Sequence, residues 1–131
     1  MLKAASSEER QLRMKLNLMM MSGVEDGQQR NFDSENGDGH SENGEWIISI
    51  GRRDDNDITL RSDTFISRIH AQIHWKDDRW WLEDCASKNG TFIEGVGDED
   101  VRVTGTIPIT PGQLFRIGRT WMRIQVDESA T

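Results

Sequence analysis

The chain has 131 residues, 16 basic and 23 acidic side chains, and a formal charge of −7. That length suits one domain with its own core, the single cysteine, Cys85, excludes an internal disulfide framework and a four-cysteine zinc site, and the acidic balance excludes a global basic footprint for nucleic acid. No apolar run approaches the ~20 residues of a membrane helix, and Leu18 to Met21 is too short for a signal-peptide core, so the expectation is a cytoplasmic protein in a reducing compartment, without a membrane or nucleic-acid partner.

Residues 1–10 read as a flexible polar tail and 127–131 as a second one, which leaves 11–126 as a single domain. Leu12, Met14, Leu16 and Leu18 alternate with Arg13, Lys15 and Asn17. A period of two predicts a strand with one buried face. Residues 22–45 are rich in Gly, Asn, Asp, Ser and Glu. They read as a long mobile loop, with a short edge strand through Gln28 to Asp33.

Strand signals are dense from Trp46 onward. Strands are expected over Trp46–Ile50, Asp57–Leu60, Ala71–Trp75, Arg79–Leu82, Thr91–Ile93, Val101–Val103, Gln113–Ile117 and Thr120–Val126. Lys76-Asp77-Asp78 reads as a hairpin turn, and several glycines with Pro108 and Pro111 punctuate the later strands. Trp80 and Trp81 are adjacent, so one faces the core and the other is partly exposed. No stretch after residue 20 carries a helical stripe, and no repeat is visible. Many short strands with Gly-rich turns predict an all-β sandwich or barrel.

The polar residues that need explaining cluster in three loops, 51–57, 65–70 and 84–91. Loops at one end of a sandwich converge, and binding residues concentrate there. These loops contain Arg52, Arg53, Ser67, Arg68, Lys88 and Asn89, a donor-rich set that suits a phosphate. The window from Gly51 to His70 also holds four Arg and four Asp. Chemistry alone therefore leaves two readings open, an anion site or a solvated loop of ion pairs.

Four motifs narrow the choice. They are Gly51-Arg52 with Asn56-Asp57-Ile58-x-Leu60; Ser67-Arg68-x-His70-Ala71; Leu82-x-Asp84-x-x-Ser87-x-Asn89-Gly90-Thr91-Phe92; and Ile109-x-Pro111-Gly112-Gln-Leu-Phe-Arg-Ile117-Gly118. In this order and spacing the chain resembles the forkhead-associated (FHA) domain from about Leu12 to Val126. The resemblance implies a β-sandwich of about eleven mostly antiparallel strands with ligand loops at one end. It implies a phosphothreonine-binding module that recruits partners phosphorylated by Ser/Thr kinases, not an enzyme, and no cofactor. By residue, it implies that Arg52 pairs with the phosphate and Ser67 donates its hydroxyl. Arg68 and Lys88 add phosphate contacts, Asn89 holds the peptide backbone, and a small niche takes the threonine γ-methyl. Gly51, His70, Gly90 and Thr91 match positions that shape the loops. A same-fold scaffold docking an unphosphorylated partner is the alternative.

Other features read blandly. Ser67 and His70 suggest a hydrolase only remotely, because an acid partner and an oxyanion site are not visible. Cys85 reads as a small buried or semi-exposed thiol rather than a nucleophile. Asp54, Asp55 and Asp57 lack the full spacing of a calcium loop, so no metal is expected.

Overall fold

The computed structural model describes residues 13–23, 25–97 and 99–125. The two expected tails, Leu12 and Val126 lie outside the described residues. Twelve strands succeed one another in chain order: β1 (Lys15–Met20), β2 (Gln29–Asp33), β3 (His40–Glu42), β4 (Glu45–Gly51), β5 (Ile58–Thr59), β6 (Ala71–Lys76), β7 (Arg79–Asp84), β8 (Thr91–Glu94), β9 (Asp100–Arg102), β10 (Thr106–Ile109), β11 (Leu114–Ile117) and β12 (Thr120–Ile124). One sheet has the order β2-β1-β12-β11-β8-β9. The other has the order β10-β7-β6-β4-β3, with β5 added on β4. Among the described strands, β4–β5 is the parallel pair and every other pairing is antiparallel. This is the expected all-β sandwich.

Alternation builds the core. Leu16, Leu18 and Met20 of β1 are buried, as are Trp46, Ile48 and Ile50 of β4, Phe115 and Ile117 of β11, and Met122 and Ile124 of β12. With Ile73 and Leu82 they form one apolar cluster shared by both sheets. Period two places each set on one face, and burying it supplies the main force holding the sheets together. Trp80 enters this core beside Trp46 and Trp75, with ring centroids 6.4 and 4.8 Å away, while Trp81 stays half-buried on the outer face. Among the described residues no helix is long and apolar enough to cross a membrane.

Two features differ from the sequence expectation. Residues 22–45 are not loop throughout. Besides β2, which falls at the expected edge strand, they contain a 3-10 turn at Ser34–Asn36 and strand β3. Met14 and Ser34 exchange hydrogen bonds of 2.7 and 2.9 Å, and the Trp46 indole donates to the Asp38 carbonyl at 2.8 Å. These bonds fasten to the sandwich a polar, Gly-rich segment that has few apolar side chains of its own. The second difference is β10, which includes Pro108. The strand ends its sheet, so a residue without an N–H is tolerated there.

The β6–β7 hairpin closes through Asp77 and Asp78, whose φ angles are 54° and 60°. A two-residue turn of this hand needs positive φ at both positions, and the second strongly favours glycine. Asp78→Gly should therefore raise stability by up to about 1 kcal/mol, the left-handed penalty exceeding glycine's entropy cost. Urea denaturation checks this, and a lower midpoint in the variant would show that Asp78 makes a compensating contact.

Candidate functional site

The loops β4–β5, β5–β6 and β7–β8 meet at one end of the sandwich through named bonds. The Arg52 amide donates to the Ser67 carbonyl at 3.1 Å and the Arg53 amide to the Arg68 carbonyl at 3.2 Å. The Asn56 carboxamide donates to the carbonyls of Arg53 and Arg68 at 2.9 and 2.8 Å. Gly51 permits this approach, since a Cβ there would collide with the Arg68 carbonyl oxygen. Across the next gap, the Lys88 amide donates to the Ser67 hydroxyl at 3.0 Å, and the Asn89 carboxamide donates to the Phe65 carbonyl at 2.9 Å.

His70 stands beneath these contacts, fully buried. Its Nδ1 lies 3.0 Å from the Ser67 amide, which can only donate. Nδ1 therefore accepts, and Nε2 carries the proton donated to the Gly90 carbonyl at 2.9 Å. Both ring nitrogens are spent on backbone, leaving none for the Ser67 hydroxyl. The Ser67–His70 hydrolytic pair is thus not assembled, and the histidine acts as a brace between two loops.

Asp84 is the matching brace inside the β7–β8 loop. Its carboxylate accepts from the Ser87 hydroxyl at 2.6 Å, the Thr91 hydroxyl at 2.7 Å and the Ser87 amide at 3.1 Å. Burial pushes its pKa up, but these donors outweigh burial and hold it below the usual carboxylate range. The Ser87 hydroxyl also accepts from the Gly90 amide at 3.0 Å. Gly90 itself has φ of 90°, a conformation other residues rarely take. Asp84 and Asn56 stand in the motifs, yet no position-by-position reading reveals that they bond the loops into shape.

The side chains divide cleanly by charge. Asp55 pairs with Arg53 at 3.0 Å, Asp54 with Arg61 at 2.7 Å, and Asp57 accepts from the Ser49 amide and hydroxyl at 2.8 and 3.1 Å. Every aspartate of the first loop is thus committed away from Arg52. The Arg52 Nε donates to the Ile66 carbonyl at 3.1 Å, and its terminal nitrogens have no acceptor among the described residues. Arg68 and Lys88 are exposed and form no ion pair among the described residues. The solvated ion-pair loop and the anion site are alternatives in the sequence. In the structure the ion pairs exist, and Arg52, Arg68 and Lys88 stand outside them. The bonds draw Arg52, Ser67, Lys88 and Asn89 into one patch. Arg68 is tied in by its carbonyl, and among the described residues its guanidinium forms no hydrogen bond or ion pair with the others.

The FHA-domain sequence profile matches residues 48–118, the span that carries all three loops. The chain belongs to the FHA-domain family. It is 31% identical over 81 residues to the FHA domain-containing protein FhaB of Mycobacterium tuberculosis, an alignment that takes in 62% of this chain and 48% of that protein. The chain thus spans about half the length of the curated relatives it matches. Among solved structures, it superposes on the FHA domain of CT664 from Chlamydia trachomatis with a TM-score of 0.67, at 23% identity over 87% of this chain and 99% of that one. It also superposes on the N-terminal FHA domain of S. cerevisiae Rad53 in complex with a phosphothreonine peptide, with a TM-score of 0.68, at 18% identity over 89% of this chain and 97% of that one. These two structures establish the shared sandwich.

The histidine brace of this FHA domain yields a pH prediction. Burial lowers the His70 pKa below its ordinary 6.5, against the raising influence of the Gly90 carbonyl and of Asp84 and Asp63. The unfolded chain therefore binds that proton more readily than the folded one. The stability tied to neutral His70 is complete above 6.5 and is lost as pH falls below it toward the depressed folded value. Protonation would also set an N–H of Nδ1 against the Ser67 amide. The imidazole of His70, followed by NMR, should stay neutral below pH 6.5 while thermal stability declines. A His70 resonance titrating above 6.5 would overturn the brace as drawn.

Proposed function

We propose that this FHA domain is a phosphothreonine-dependent interaction module acting in the cytoplasm, recruiting a partner that a Ser/Thr kinase has phosphorylated. The observation that carries the reading is Arg52, held by the Ile66 carbonyl, with no ion pair and no acceptor on its terminal nitrogens among the described residues and its neighbouring aspartates engaged elsewhere. A phosphate monoester carries close to two negative charges at pH 7 and accepts charge-assisted hydrogen bonds. In this reading Arg52 forks onto the phosphate, the Ser67 hydroxyl donates to it, and Arg68 and Lys88 add positive charge. Asn89 uses its remaining donor and its carboxamide oxygen to hold the peptide backbone. Gly51, His70, Gly90 and Thr91 shape the loops without touching ligand. The Rad53 complex with a phosphothreonine peptide supports the ligand class.

Titration calorimetry with a phosphothreonine peptide and its unphosphorylated twin tests the reading. Only the phosphorylated peptide should bind, and equal binding of both would favour a scaffold that docks unmodified partners. Arg52→Ala should weaken binding at least about tenfold, since a charge-assisted bond contributes roughly 1.5–3 kcal/mol. Arg52→Lys should recover only part, because an ammonium lacks the planar fork. A folded Arg52→Ala with unchanged affinity would place the site elsewhere.

Exchange of phosphothreonine for phosphoserine separates packing from charge. Both present the same phosphate, so Arg52 cannot tell them apart. A methyl in a fitted niche is worth roughly 1–3 kcal/mol, and the exchange should cost at least about 1 kcal/mol of it. Equal affinities would reduce the patch to a generic anion site.

A further inference from the structure

We propose that the ligand-reading surface continues past the phosphate loops onto the outer face of the β8–β9 sheet, where Arg102 receives a second anionic group of the ligand, a carboxylate or another phosphate. The inference rests on the phosphothreonine reading above and adds a second charge to the partner it selects.

The structure brings two guanidiniums to one ring. Arg102 of β9 is opposite Phe92 of β8 in register, its guanidinium carbon 6.0 Å from the ring centroid. Arg116 of β11 is opposite Phe92 on the other side, 4.2 Å from the same centroid and 5.6 Å from that of Trp121. Like charges gathered this way raise the local positive potential unless counter-charges intervene. Among the described residues the ion pair made to these two guanidiniums is that of Asp100, 3.8 Å from Arg116. Arg102 is exposed and has no ion pair among the described residues. In a chain of net charge −7, composition does not explain such a patch.

The patch also adjoins the candidate site. Gly90 directly follows Asn89, and a Cβ placed on it would stand 3.3 Å from the Arg102 guanidinium carbon. The guanidinium therefore lies against the backbone that continues from Asn89. The Val103 amide donates to the Thr91 carbonyl at 2.8 Å, which keeps the end of β9 beside the start of β8. The hairpin's own acids, Glu94 and Asp100, face each other two positions further along, roughly 7 Å farther from Asn89. The charge gradient along β8 thus draws an anion to the Arg102 end. Aspartates in the β4–β5 loop would oppose acidic ligands, but Asp54 and Asp55 are neutralised by Arg61 and Arg53.

The test compares phosphothreonine peptides with neutral flanks against peptides carrying one Asp, or one phosphoserine, at each flanking position in turn. At one side of the phosphothreonine the added anion should tighten wild-type binding about three- to fivefold, the upper range for an exposed charge pair. Arg102→Gln should erase that gain and Arg102→Glu should reverse it, while the neutral-flank peptide binds within about twofold of wild type as expected for an independent site. Gain with Asp alone identifies an acidic flank as the natural group, and gain with phosphoserine alone identifies a doubly phosphorylated ligand. The absence of any gain in wild type, or its survival in Arg102→Glu, overturns the proposal. If the neutral-flank phosphothreonine peptide binds no better than its unphosphorylated twin, the parent reading fails as well. If that peptide binds and the added anion contributes nothing, only the extension fails.

Discussion

His70 is buried, yet each of its four polar groups has a partner. Its amide donates to the Ile50 carbonyl and its carbonyl accepts from the Cys85 amide, both at 2.9 Å. Its ring accepts from Ser67 and donates to Gly90. One side chain and its own peptide groups therefore join the end of β4, the β5–β6 loop and the β7–β8 loop. A residue lacking this donor–acceptor pair would leave the Ser67 amide and the Gly90 carbonyl short of partners, each costing about 1–3 kcal/mol if left buried and unmade. The geometry of Ser67, Lys88 and Asn89 depends on that brace, because their own cross-loop bonds are made at the exposed surface, where water competes.

The core is legible in the sequence because alternation is a local signal. Leu16, Leu18 and Met20 announce their face within a few residues, and propensity against methionine does not change the period. Strand β10 is not legible, because Pro108 reads as a break unless the strand's edge position is known. Strand β3 and the turn before it are hidden for another reason. His40–Glu42 is exposed throughout and shows no alternation, so it exists by pairing with β4 rather than by burying a face of its own.

The candidate site divides in the same way. Motif spacing exposes Arg52, Ser67, Lys88 and Asn89, but it cannot say which carboxylates neutralise which arginines. Counting charges over residues 51–70 gives zero, and zero describes both a uniform loop of ion pairs and a segregated one. Segregation comes from partners that tertiary structure supplies. Asp57 turns to Ser49 on the neighbouring strand, and Asp63 is held by the Phe65 amide, the Arg119 amide and the Thr120 hydroxyl, some 56 residues away in the last case but one. Arg119 then lies 3.8 Å from the Phe65 ring centroid, a contact that no local pattern announces.

This division of labour has an energetic consequence for recognition. The loops are cross-bonded beneath the surface, and no buried side-chain polar atom among the described residues lacks a partner. The backbone frame is therefore set before any ligand arrives. Among the described residues, the Arg52 side chain is hydrogen-bonded through its Nε, and the Lys88 and Arg68 side chains form no hydrogen bond or ion pair. Immobilising such a side chain costs about 0.5–1.5 kcal/mol, and Arg52 has already met part of that cost through Ile66. A frame that is rigid and a head group that is half-ordered favour a ligand whose charge is compact and strong. On the proposed reading, a dianionic phosphate would gain more from the Arg52 fork than a single carboxylate for the same loss of freedom.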